Sequence, residues 1–415
     1  MKIDAARLRR DIQENAEFGG FDAEEGKGRT VLTGSEADRK ARERLVAELE
    51  AIGLEVRVDA VGNIAGRWTP PSCDPDAAPV AVGSHLDSVR NGGIFDGPLG
   101  TYAAVETVRA IQDSEETPAR PIEVVSFTGE EGGRFGIGTL GSSVAAGQRQ
   151  AAEALALDDA DGVTLEESLE RIGFAGSEEI DASEWDAWLE LHIEQGTRLT
   201  AAGASVGIVE SIVGITNCEV TITGEADHAG STPMYDRTDA LAAASEFVLD
   251  FEGAAEELAT TNEAAVGTAG EGTIEPNARN IIPEEVQLQL DIRDVAHDTM
   301  DQLVDRCRSS LARLERVRGV ETSLERYRDS EPSQMSGRCI AAVQEAVGAR
   351  DIDAIQLHSA AMHDTANVAA VTDAGLLFAP SVDGVSHSPR EWTDWTDCAV
   401  ATEALAETAR LLATT

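Results

Sequence analysis

His85, Asp96, Glu131, His192 and His387 each stand at or just beyond the end of a short apolar run. The segments read PVAVGSHLD followed by GGIFDGPLG, then IEVVSFTGEEGGRFG, WLELHIEQG and GLLFAPSVDGVSHSP. Imidazole and carboxylate together form the donor set of a divalent transition metal such as zinc. His85 and Asp87 are separated by one residue, so in extended backbone their side chains share a face. A carboxylate that close can hold the second ring nitrogen of His85 and fix its tautomer for a metal. Asp96 lies among glycines that permit a tight turn back toward His85, and its two oxygens can bridge two cations. Glu130 and Glu131 are adjacent, which suits a division of labour: one acid binds metal, and the other is general base to a water acidified by it. His192 and His387 would then complete two three-coordinate sites with positions left open. Singly, each feature is weak. Paired acids after a buried run are ordinarily a solvated loop, and a lone histidine is ordinarily a core or surface residue. The chain has only 7 histidines, however, and three fall at strand ends beside these acids. Their joint occurrence points to hydrolysis at a metal centre.

The elements that must position these residues are legible from the apolar pattern. Runs of strand length ending in Gly and polar residues predict buried parallel strands, whose carboxyl ends are where open α/β sheets bind ligands. From about 79 to 210 strand and helix alternate, which predicts a doubly wound α/β domain. Ahead of it, SEADRKARERLVAELEAI at 35–52 has helical spacing with Gly53 as its stop, and LEVRVDAVGNIAGRW reads as a hairpin. Near 212 the pattern changes to β-α-β-β-α-β, the ferredoxin-like order. The expected organisation is a discontinuous metal-binding catalytic domain at 1–212 and 329–415, interrupted by a smaller α+β domain at 213–328.

At 415 residues the chain is long enough for about two domains. There are 76 acidic against 33 basic residues, a formal net charge of −43, and the acids are spread along the whole length. Self-repulsion on that scale is relieved at molar salt, where the Debye length shrinks to about 3 Å. The composition therefore reads as adaptation to a salty cytoplasm, that is, a halophile. It also excludes nucleic acid as a partner, since phosphate backbones need basic surfaces. The 5 cysteines are scattered with no CxxC pair, so neither a disulfide framework nor a thiolate zinc site is indicated. The N-terminus reads as an amphipathic helix and no apolar stretch approaches membrane-spanning length. A soluble, cytoplasmic protein with no membrane partner is expected.

Taken in order, GSHLDSVRNGGIFDGPLG, TGEEGGRFG, LHIEQG, DHAGSTPM, the IIP…LDIRD segment and GVSHSPRE resemble the hydantoinase/carbamoylase branch of the di-metal amidases. That branch contains N-carbamoyl-L-amino acid hydrolases, allantoate amidohydrolases and β-ureidopropionases. The resemblance implies a zinc-exopeptidase-like sheet and two divalent ions per subunit: zinc or manganese, with cobalt or nickel also suited. It implies that His85, Asp96 and His192 hold one ion and Asp96, Glu131 and His387 the other, with Asp96 bridging and Glu130 as general base. Asp87 joins the catalytic set as the orienter of His85. His228 is implied as the oxyanion stabiliser, reaching in from the partner subunit of a homodimer formed through the inserted lid domain. Asn280 and Arg293 are the implied substrate-binding pair, with Arg293 gripping a carboxylate, and Gln195 is a further substrate contact. An exposed strand arginine would read the same as Arg293 by pattern alone.

One segment departs from the family. Where SGAGHDA is usual, the chain has Ser359, Ala360, Ala361, Met362, His363, Asp364 and Thr365. Bulkier Ala360 and Met362 replace glycines in the substrate region, while His363 and Asp364 remain, the latter as a helix-start acid. The expected activity is hydrolysis of a linear ureido or amide C–N bond by a two-metal-activated water. N-carbamoyl-L-amino acids are the first substrate class, with allantoate or a β-ureidopropionate as alternatives. A catalytically silent binding protein of the same fold is the competing class, and retention of all five ligands with Glu130 argues against it.

Overall fold

The computed structural model describes residues 2–71, 73–114 and 117–414; Met1 and Thr415, at the outer ends of the expected catalytic domain, lie outside them. Among these residues the chain forms two compact units, one of Met1–Glu210 with Gln334–Thr415 and the other of Ser211–Ser333. In chain order the first unit begins with the helix Ala5–Asn15, followed by β1 (Gly20–Asp22) and β2 (Lys27–Arg29), a small antiparallel pair. It continues through β3 (Glu55–Val58), β4 (Ile64–Trp68), β5 (Val80–His85), β6 (Ile122–Phe127), β7 (Ala187–Ile193) and β8 (Val206–Ile212). The second unit holds β9 (Gly214–Thr223), β10 (Val266–Glu275), β11 (Glu285–Asp294) and β12 (Glu321–Ser330). The chain then returns through β13 (Ser333–Gln334), β14 (Ala354–Ser359) and β15 (Ala374–Ala379).

The main sheet is mixed, in the order β13-β8-β15-β7-β5-β6-β4-β3, with β14 on β8. Its centre, β15-β7-β5-β6, is parallel. The β3–β4 hairpin and β8 extend it antiparallel on either side. Every residue of β5, β6, β7 and β15 is buried. Alternation along a strand sends neighbours to opposite faces. Val80 and Val82 accordingly join a core with Tyr102, Ala103 and Leu405, whereas Ala81 joins a second core with Val125, Trp188 and Val368. Both faces are thus covered, as a parallel sheet requires. The helix Pro98–Gln112 follows β5 and opens with Pro98 at its first position, where the absent N–H costs no hydrogen bond.

The helix Glu36–Ala51 is capped by the Ser35 side chain, which accepts the Asp38 amide. Its buried Arg42 donates to Asp38 Oδ1 at 2.8 Å, to the Gly62 carbonyl at 2.6 Å and to Thr128 Oγ1 at 3.1 Å. One guanidinium therefore ties this helix to the β3–β4 turn and to the loop that leaves β6.

The second unit has its own core. Its sheet runs β10-β11-β9-β12, all antiparallel, and the helices Ala240–Ala259 and His297–Arg318 supply the other layer. Cys218, Val220 and Ile222 alternate inward from β9 against Phe247, Leu303 and Leu311 of those helices. The order β-α-β-β-α-β is ferredoxin-like.

Candidate active site

All five ligand candidates of the first unit converge at the carboxyl ends of the parallel strands. His85 is the last residue of β5 and His192 the penultimate residue of β7. Asp96 lies in the loop between β5 and the helix Pro98–Gln112, Glu131 follows β6, and His387 follows β15. Two groups form within metal-ligating reach, His85–Asp96–His192 and Asp96–Glu131–His387. Asp96 belongs to both. Its Oδ1 lies 3.1 Å from His192 Nε2 and 3.5 Å from His85 Nε2. Its Oδ2 lies 3.7 Å from His387 Nε2, which in turn is 3.2 Å from Glu131 Oε2. Each oxygen of one carboxylate therefore faces a different group.

Local backbone explains the convergence. Gly97 has φ +81°, and a Cβ there would sit 2.5 Å from the His85 ring; only glycine lets the Asp96 loop lie this close to the imidazole. Gln195 and His387 adopt left-handed φ of 56° and 55° although neither is glycine. Such residues persist only where surrounding contacts hold them, and they gather at functional sites.

The ring tautomers suit a cation. His85 Nδ1 is 3.2 Å from the Asp87 carbonyl and His192 Nδ1 is 3.0 Å from the Ile193 carbonyl. A carbonyl only accepts, so each Nδ1 carries a proton, which leaves each Nε2 as the ring atom that a cation could take. His85 Nε2 and Glu131 Oε1 are buried without a hydrogen-bond partner. Buried unpaired donor atoms of this kind, ringed by Asp87, Asp96, Glu130 and Glu131, fit two divalent cations. Without cations the acids and imidazoles must compensate one another. Burial would raise Asp96, but His192 and His85 outweigh it and hold its carboxyl well below the usual range. Burial would likewise depress His85, yet Glu130, Asp87 and Asp96 hold its basicity well above normal.

Glu130 is near but outside both groups. Its Oε2 is 3.7 Å from His85 Nε2. Burial pushes its carboxyl well above the usual range, and the neighbouring charges of Glu131, Asp364 and Asp96 add to that rise. A raised carboxyl beside open ligand positions is the condition for a general base that must also return its proton.

The geometry refines two further expectations. The nearest acceptor for His85 Nδ1 is the backbone carbonyl of Asp87; the Asp87 carboxylate is farther, at 3.6 Å. Instead that carboxylate accepts the amides of Glu130 and Glu131, each at 3.2 Å, and so fixes the loop that carries both acids. Gln195 Nε2 donates to Asp96 Oδ2 at 2.8 Å and to Ser386 Oγ at 3.0 Å. In this structure Gln195 thus holds the Asp96 carboxylate.

His228, Asn280 and Arg293 belong to the second unit. The exposed His228 ring accepts the amides of Gly230 and Ser231 on Nδ1, at 3.0 and 3.1 Å. Its proton therefore resides on Nε2, which makes that atom a donor. The carbonyl of Asn280 accepts the Ala229 amide at 3.0 Å, so Asn280 and the His228 loop are held side by side. Arg293 meets Asp291 through Nε at 2.8 Å and Nη2 at 3.2 Å, both residues lying on one face of β11.

Sequence pattern alone overlooks the support beneath the ligands. Glu190, fully buried in β7, accepts Ser84 Oγ at 2.7 Å and Thr365 Oγ1 at 2.6 Å. That contact stitches β5 and β7 to the segment after β14. An acid inside the apolar run WLELHI was the one visible sign of it. His363 packs edge-on to the His192 ring, centroids 4.6 Å apart, and Asp364 opens the helix Asp364–Val368.

Comparison with known proteins agrees with this geometry. Residues 81–411 match the family described as Peptidase family M20/M25/M40. The N-carbamoyl-L-amino acid amidohydrolase of Geobacillus stearothermophilus is 38% identical over 415 residues, covering 99% of each chain. The allantoate amidohydrolase of Bacillus subtilis is 34% identical, covering 94% of this chain and 93% of its own. A crystal structure of a hydantoinase/carbamoylase family amidase from Burkholderia multivorans superposes with a TM-score of 0.91 at 33% identity, covering 100% of this chain and 99% of the other. The protein is an amidohydrolase that belongs to peptidase family M20/M25/M40, in its hydantoinase/carbamoylase branch.

Proposed function

We propose that the protein hydrolyses N-carbamoyl-L-amino acids, releasing the amino acid, carbon dioxide and ammonia. The observation that carries this reading is the Asp96 carboxylate, which turns one oxygen to each of two ligand groups while Glu130 stands beside them unliganded. The substrate class follows from the 38% identity, over the full chain, to a relative named for that activity.

His85, Asp96 and His192 would hold one divalent ion, and Asp96, Glu131 and His387 the other; zinc and manganese both suit the donors. When bound, the ions supply a water of lowered pKa and a Lewis acid for the carbamoyl oxygen. Glu130 takes the proton of the attacking water and delivers it to the leaving nitrogen. Asp87 keeps Glu130 in reach through its amide. The partner subunit's His228 donates from Nε2 to the oxygen that gains charge, a stabilisation that acts only as the carbonyl becomes tetrahedral. Arg293 pairs with the substrate carboxylate and Asn280 steadies it, while Gln195 orients Asp96 and borders the substrate. The second unit serves as lid and as the surface of a homodimer. The acidic composition supports work in a concentrated-salt cytoplasm, where a charge of −43 is screened.

Allantoate is the second reading, supported by the 34% identical relative named for it. A panel of both substrate types, assayed for ammonia with Mn²⁺ or Zn²⁺ in molar KCl, separates them. Turnover of N-carbamoyl-L-amino acids above allantoate is expected. Preference for allantoate reverses the assignment, and no turnover of any ureido or amide substrate overturns it.

A further inference from the structure

Glu391 sits behind the cluster and is only 2% exposed. Its Oε1 accepts two consecutive backbone amides, Phe95 at 2.9 Å and Asp96 at 3.0 Å. Those residues lie 296 and 295 positions away in sequence from Glu391. Its Oε2 is 3.4 Å from Ser386 Oγ, and the same hydroxyl donates to Asp96 Oδ2 at 2.7 Å. The main chain at 93 closes on the other side: a Cβ on Gly93 would fall 2.3 Å from the Glu391 carboxyl carbon. The loop 93–96 is thus wrapped around one buried carboxylate, and that carboxylate also reaches the residue preceding His387. Among the described residues, no other side chain in the cluster hydrogen-bonds both the backbone of Asp96 and the His387 segment.

We propose that Glu391 is a positioning residue for the shared ligand. It fixes the backbone from which Asp96 projects and, through Ser386, ties that backbone to the loop bearing His387, so that the two oxygens of Asp96 face their separate groups. Two consecutive amide hydrogen bonds to one buried oxygen are directional enough to define such a loop. Reach is the essential property. A glutamine keeps an oxygen at the same place, whereas an aspartate keeps the charge and withdraws the oxygens by one methylene. The inference rests on the reading of Asp96 as a ligand shared by two ions.

The test is calorimetric titration of chelator-stripped, full-length protein with Mn²⁺ in molar KCl, for wild type, Glu391→Asp and Glu391→Gln, alongside thermal unfolding of each stripped protein. Wild type should bind two Mn²⁺ per chain. Glu391→Asp should bind them about 10–100-fold more weakly, the usual effect of removing support behind a ligand, and Glu391→Gln should bind like wild type. A role in folding alone would lower the unfolding temperature of Glu391→Asp and leave Mn²⁺ affinity untouched, which overturns the proposal. Equal loss in Glu391→Asp and Glu391→Gln also overturns it, since an oxygen kept at the same reach would then not suffice. Gly93→Ala drives a methyl group into the same carboxylate without changing it, and should reproduce the loss even if Glu391→Asp does not fold; unaltered Mn²⁺ binding in that variant contradicts the proposal. Wild type that takes up no Mn²⁺ fails the shared-ligand reading itself, whereas two bound ions with an unaffected Glu391→Asp fails the positioning role alone.

Discussion

Under the proposed function, Asp96 and Glu130 divide the chemistry of the site between a residue that binds and a residue that moves protons. Asp96 meets three imidazoles through two oxygens, while Glu130 meets only His85, at 3.7 Å. Glu130→Gln keeps the shape of the side chain and removes its proton affinity. We expect kcat to fall about 10²–10⁴-fold, the ordinary worth of general acid–base catalysis, with Mn²⁺ stoichiometry and unfolding temperature unchanged. A variant that binds metal and retains full activity would show that Glu130 is not the base. The convergence of the five candidate ligands was legible in the sequence because each is a residue type with few other uses at a strand end, and because Gly97 beside Asp96 marks a forced close approach. Glu391 and Glu190 were not. Both act on groups far away in the chain, Glu391 on backbone amides and Glu190 on two hydroxyls. Local pattern shows at most an acid inside an apolar run, as in WLELHI, and does not name its partners.

Strands do the placing and loops do the aiming. The parallel centre of the sheet brings His85 and His192 to one edge without further help, and this much follows from apolar runs that end in polar residues. The antiparallel margins formed by β4 and β8 are less legible, since a hairpin and a crossover differ by turn chemistry and not by strand pattern. Left-handed φ at Gln195 and His387 cannot be read from residue type at all, because neither is glycine. Arg42 supports the loop after β6 from the helix Glu36–Ala51. Arg42→Met should destabilise the protein by about 3–5 kcal/mol, because Asp38 is left buried and charged without its partner. Chemical denaturation measures this directly. A loss below about 1 kcal/mol, the range of an exposed pair, would remove Arg42 from that role.

At the scale of the whole molecule, the proposed function ties stability to two features, bound ions and the charge. Binding that favours the folded state adds RT ln(1 + [L]/Kd), about 2.7 kcal/mol at a hundredfold excess over Kd. Stripping the ions with a chelator should therefore lower the unfolding temperature by several degrees, and Mn²⁺ or Zn²⁺ should restore it; an unchanged transition would argue against a folded-state metal site. With a net charge of −43, raising KCl from 0.1 to 2 M should raise the unfolding temperature, since screening weakens self-repulsion. A transition indifferent to KCl would contradict adaptation to salt. The account as a whole is tested most directly by ammonia release from an N-carbamoyl-L-amino acid, measured in molar KCl for stripped protein, Mn²⁺-loaded protein and Mn²⁺-loaded Glu130→Gln. Release by the loaded wild type alone is the predicted result. Equal release by the stripped protein or by Glu130→Gln, or none by any of the three, would contradict it.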